Sequence, residues 1–133
     1  MSTRTITLTG RPPVKINEDK WPFLASAKSK DWDNHYEFQA NRIETLTISV
    51  RQHEDDERTL VYATASYSSA WQNERDDSQR EGIYLDTAET SDEAICDAIQ
   101  LVCGSMRKPH MLPADEWDRL AAECIADLPA VEL

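Results

Sequence analysis

From Asn41 to Val50 (NRIETLTISV) the chain alternates, with Leu46, Ile48 and Val50 on one side of an extended backbone and Thr45, Thr47 and Ser49 on the other. A period of two is the mark of a half-buried strand and cannot be folded into a helix without scattering the apolar face. The pattern resumes from Arg58 to Tyr67 (RTLVYATASY), and β-branched and aromatic residues dominate both runs. The polar stretch His53–Glu57 between them is a turn, so the two runs predict an antiparallel hairpin with an acidic tip.

Shorter strands are expected around it. Thr5–Thr9 alternates until Gly10 and Pro12-Pro13 interrupt it, and Val14–Ile16 gives a second short strand. Asn17–Lys20 predicts a turn, and Trp21–Ala27, which contains Pro22, an edge strand. Lys28–Asn34 is polar and loop-like, Gln72–Arg80 is polar, and Gly82–Leu85 is the last expected strand.

At Ser91 the period changes. Ser91 is a good N-cap, and Asp92 and Glu93 sit where the helix dipole favours anions. Ile95, Ala98, Ile99, Val102 and Met106 follow at helical spacing, predicting a helix over about 92–106 that Pro109 prevents from continuing. A second helix is expected over about 114–128, with Trp117, Leu120, Ala121, Cys124 and Leu128 inward. Strands first and helices last, joined antiparallel, predict an α+β fold: a sheet of four to five strands (about 5–86) with two C-terminal helices on one face. At 133 residues one domain, 1–133, is expected. Trp21 and Trp117 are assigned to its core.

Charge is the other constraint. The chain carries 14 Lys and Arg against 25 Asp and Glu, a formal −11. Six of the bases but only two of the acids fall in residues 1–30, so the excess of acid lies later. This balance argues against direct nucleic-acid or anionic-membrane binding and favours a partner with a basic surface, or simply solubility. No apolar run reaches the roughly 18 residues of a membrane span, and the first residues lack the apolar segment of a secretory signal. Cys96, Cys103 and Cys124 are odd in number and form no CxxC pair, so neither a disulfide framework nor a zinc site is expected, and an intracellular, reducing location fits best.

No catalytic constellation emerges. Asp31–His35 and His53–Glu57 are rich in metal-ligand atoms, but the first lacks the glycine and distant glutamate of a calcium loop, and the second is a hairpin tip. Glu18-Asp19-Lys20 has the ExK spacing of metal-dependent nucleases without an acid upstream of it. GxSxG, HExxH and Gly-rich phosphate loops are absent from the sequence, which has three glycines in all. No enzyme, cofactor or metal is therefore expected.

What remains is surface. Residues 54–97 hold 13 acids against Arg58, Arg75 and Arg80. Gathered at the edges of a small sheet, such carboxylates would stand about 6–10 Å apart, near the spacing of duplex phosphates. The expected partner-binding set is Glu54, Asp55, Asp56, Glu57, Glu74, Asp76 and Asp77, with Trp71 as an aromatic anchor.

Leu8–Ile16 (LTGRPPVKI) with Trp21-Pro22, Val50–His53 with Val61-Tyr62, and Trp71–Arg75 (WQNER) together resemble a family of small proteins from proteobacterial plasmids, integrative elements and phages. The resemblance covers roughly residues 5–85 and implies no catalytic residues. In kind and setting it is similar to anti-CRISPR proteins, acidic mobile-element products that bind Cas effectors. It implies a non-enzymatic inhibitor docking an acidic face on a basic surface of a Cas effector complex. The alternative is an accessory protein- or ligand-binding module without inhibitory role. An exposed strand edge would equally serve a homodimer.

Overall fold

The computed structural model describes residues 3–7, 12–30, 32–34, 42–69, 75–86 and 91–129. Its elements are β1 (Thr3–Ile6), β2 (Val14–Asn17), β3 (Phe23–Lys28), β4 (Trp32–Asn34), β5 (Arg42–Gln52), β6 (Thr59–Ser69), β7 (Asp77–Leu85), α1 (Asp92–Ser105) and α2 (Glu116–Asp127). This is an α+β architecture. The main sheet runs β3-β5-β6-β7, with β4 also on β5, and every pairing is antiparallel.

The expected hairpin is the spine of the fold. β5 and β6 pair over eleven residues each, from Arg42↔Ser69 to Gln52↔Thr59. The tip turns through Glu57, whose φ of 58° lies in the left-handed region that costs an ordinary residue roughly 1–2 kcal/mol. Leu46, Ile48, Val50, Val61 and Ala63 are at most 1% exposed and meet Ile95, Ile99, Val102, Leu120 and Cys124 of the helices. Burying each large aliphatic side chain contributes about 1.5–3 kcal/mol. α1 lies over β6 and β7, and α2 over β3 and β5.

Three features depart from the sequence expectation. Trp32–Asn34 lies in the stretch expected to be a loop, yet it pairs with Glu44, Ile43 and Arg42 at one end of β5, beyond the reach of β3. β7 is nine residues rather than four, because Asp77–Gln79 and Arg80 pair in register with β6 although their side chains favour no strand. β1 and β2 leave the main sheet and form a two-stranded sheet of their own. With Ile6, Ile16 and Trp21 they cover Leu60 and Tyr62 in a second, smaller core. Trp21 is thus buried as expected, but among β1–β2 residues rather than under the helices.

That smaller core closes on a buried cation. Arg51 is 3% exposed; its Nε donates to Tyr62 Oη at 3.0 Å and its Nη1 to the Trp21 carbonyl at 3.0 Å. Its guanidinium lies 3.8 Å from the centre of the Phe23 ring, which is itself 56% exposed.

Candidate protein-binding face

The acids expected to form one surface stand at opposite ends of the sheet. The hairpin tip carries Glu54, Asp55, Asp56 and Glu57, whereas Asp76 and Asp77 adjoin the Tyr67 end of β6. Tyr67 lies eight steps along β6 from Thr59, roughly 26 Å of extended chain. Trp71 and Glu74 lie outside the described residues.

Several of these acids are also matched locally. Lys20 Nζ donates to Glu54 Oε1 at 2.8 Å, which holds the Glu54 carboxyl below the usual range. Arg58 Nε lies 2.7 Å from Asp56 Oδ2, and its hydrogen bonding holds Asp56 low as well. His53 Nδ1 is 3.4 Å from the same carboxylate. These contacts tie the tip to the Glu18–Trp21 turn, where the Lys20 carbonyl accepts from the Glu54 amide. Asp76 accepts from the Ser69 amide at 3.0 Å. Asp55 and Glu57 are exposed.

Asp77 belongs to a different assembly. Glu44, Tyr67 and Asp77 are neighbours in one row across β5, β6 and β7, on the face that carries the helices. The loop between α1 and α2 rests on that row. Glu44, 2% exposed, accepts the His110 amide on Oε2 at 2.6 Å and the Met111 and Leu112 amides on Oε1 at 2.8 Å each. The His110 ring stacks on Tyr67 with centroids 4.3 Å apart, and its Nε2 is 3.0 Å from Asp77 Oδ2. Arg107 Nη2 donates to Asp77 Oδ1 at 2.9 Å, and its amide and Nε both reach Gln79 Oε1. The His110 hydrogen bond, with Arg107 beside it, holds the Asp77 carboxyl below the usual range. The hollow among these groups is about 20 Å³, the size of one water molecule. A His–Asp pair can move a proton, and beside this one the hollow has room for one water molecule. Its chemistry is that of a clasp, which fixes the loop and hence the spacing of the two helices.

Glu44 is the residue that sequence reasoning missed. The signal was present: it shares the inward phase of Leu46, Ile48 and Val50, where a charged side chain needs a specific partner.

The chain matches no family model, no curated protein and no solved structure.

The outer surface of the helices holds a further group of carboxylates. Asp92, Glu93 and Asp97 on α1 and Asp118 on α2 are exposed, and among the described residues none has a cation within ion-pair distance. Arg119 is engaged by Glu116 and, at 2.6 Å, by Glu123, which together raise its already high pKa. α1 itself contains no basic residue. Between the helices runs a groove of about 600 Å³ whose floor includes Cys103, Gly104, Ala121, Ala122 and Ala126. Burial pushes the Cys103 and Cys124 thiols up to about 12, so both stay neutral inside the core. Among the described residues no three His, Cys, Asp or Glu side chains are grouped to hold a metal, and no helix is long and apolar enough to cross a membrane.

Proposed function

We propose that this protein is a non-enzymatic binding domain that presents the acidic outer face of α1 and α2 to a basic surface of another protein. One observation carries the reading: among the described residues Asp92, Glu93, Asp97 and Asp118 lack counter-ions, on two helices whose connecting loop the Glu44 clasp holds, whereas Glu54, Asp56 and Asp77 are matched by neighbouring cations. Uncompensated carboxylates on a rigid support steer a cationic partner and retain their field until it docks. A nucleic-acid-binding effector has such a surface, and the mobile-element resemblance makes a Cas effector complex the first partner to test. Acting there, the domain would be an inhibitor that occupies the channel meant for nucleic acid.

The test is association with purified Cas effector complexes at rising salt. Binding should weaken about tenfold between roughly 0.05 and 0.5 M salt, as exposed charge pairs are screened. Reversing Asp97 and Asp118 to Lys should abolish it, while reversing Asp55 should have little effect. Loss on reversing Asp55 alone would return the interface to the hairpin tip. Binding that leaves target cleavage intact would favour the accessory-module reading over inhibition.

A further inference from the structure

Gly104 has no reason within this fold to be glycine. It lies inside α1 in helical conformation, and a Cβ built there meets no atom within 4 Å. Alanine at such a site is better for the helix by roughly 1 kcal/mol. Gly104 also lies where two hollows join. One is the groove of about 600 Å³ between α1 and α2; the other, of about 620 Å³, continues along α1 past Leu101. Leu101, 63% exposed, lines the second of these hollows.

We propose that this groove seats a cationic amphipathic helix of a partner protein. The inference rests on the acidic-face reading above and supplies the partner's shape. Gly104, Ala122 and Ala126 let a helix backbone come close, as small residues do wherever helices pack tightly. The stretch of α2 that lines it, Asp118–Ala126, gives the groove a length of about 13 Å, two and a half helical turns. Asp97 and Asp118 each line one of the two hollows, placed to meet Lys or Arg flanking the partner's apolar ridge. An extended segment fits less well, because helical walls have no unpaired backbone groups to complete its hydrogen bonds. A second copy fits less well too, since an isologous contact would set these carboxylates against their own equivalents.

The probe is a labelled 18-residue Leu/Lys peptide with leucines at helical i, i+3, i+4 spacing. Its control is the same composition shuffled so that leucines surround the helix. Anisotropy should show the patterned peptide binding the full chain at least about tenfold more tightly than the shuffled one. The double variant Gly104→Gln/Ala122→Gln fills the groove without altering charge or adding apolar surface, and should weaken patterned-peptide binding by at least about tenfold. Its circular dichroism should match wild type, because both side chains enter open space. Asp97→Asn/Asp118→Asn should weaken binding and flatten its salt dependence. Amide shifts on titration should concentrate in residues 97–105 and 118–126. If the shuffled peptide binds equally, or the Gln variant keeps full affinity while the Asn variant loses it, the groove is overturned and the acidic face stands. If neither variant changes binding, both readings fall. No binding of the patterned peptide also overturns the groove.

Discussion

Replacing Glu44 should be among the most damaging single changes in this protein, although the residue is a glutamate in a strand. Its carboxylate accepts three backbone amides, from His110, Met111 and Leu112. Hydrogen bonds to a charged acceptor contribute about 1.5–3 kcal/mol each, so three set an upper bound near 9 kcal/mol. The donors belong to a loop at the protein surface, and Met111 and Leu112 are only half-buried, so water recovers part of the loss. Glu44→Ala should therefore cost about 3–5 kcal/mol out of the roughly 5–15 kcal/mol that holds such a domain together. At about 3–5 °C per kcal/mol this lowers Tm by about 10–25 °C. Glu44→Gln keeps the shape and one acceptor oxygen but turns an NH2 toward an amide donor; it should cost about 1–3 kcal/mol. Denaturant unfolding followed by circular dichroism gives the energies. Hydrogen exchange should show amides 110–112 losing protection before the β5–β6 core does. A Glu44→Ala variant within about 1 kcal/mol of wild type would refute the clasp. Glu44→Gln proving as damaging as Glu44→Ala would keep the clasp and make the charge of the acceptor, rather than its shape, the controlling quantity.

The other perturbations are simpler. Gly104→Ala should stabilise the fold by about 0.5–1 kcal/mol in thermal unfolding, because the site is helical and its Cβ meets nothing. Glu57→Gly should likewise stabilise, by up to about 1 kcal/mol in denaturant unfolding, by relieving the positive φ at the hairpin tip. Asp77 has a lowered pKa from His110 and Arg107, so the stability it contributes is present above the ordinary aspartate value and lost as pH falls through the depressed one; the gap between wild type and Asp77→Asn should be widest near neutrality and shrink below about pH 4. Cys103 and Cys124 are shifted the other way, so their contribution is intact below the ordinary thiol value and lost as pH rises towards about 12; wild type should weaken more steeply than Cys103→Ala/Cys124→Ala in denaturant titrations at alkaline pH.

The parts of this fold legible in the sequence are those written locally. β5 and β6 fall where the period of two places them, and Ser91 caps α1 with its Oγ accepting the Ala94 amide at 3.2 Å. The expected helices at about 92–106 and 114–128 are observed as Asp92–Ser105 and Glu116–Asp127, and Ile95, Ala98, Ile99, Val102, Trp117, Leu120, Ala121 and Cys124 are buried as their spacing requires. β4 was illegible because three residues show no period, and Asp33 and Asn34 disfavour a strand that forms only by pairing with β5. The polar half of β7 was illegible for the same reason: β6 supplies the order that its own residues lack.

Charge in a sequence does not show which carboxylates are satisfied. Glu54 finds Lys20 across 34 residues, and Asp77 finds Arg107 and His110 across 30 and 33, so only the folded chain can separate matched acids from unmatched ones. The density of acids pointed to residues 54–57 and 76–77, yet Glu54, Asp56 and Asp77 there are bound to cations, and an exposed ion pair of that kind contributes little energy to any partner. The sparser acids of α1 and α2 retain their field because the helix α1 contributes no cation and Arg119 is claimed by its own helix. The polar residue on an apolar phase, Glu44, ties down the loop between the two helices. On the reading proposed above, that would hold Asp97 and Asp118 in place relative to each other, and a partner would meet the helical face without first having to order it.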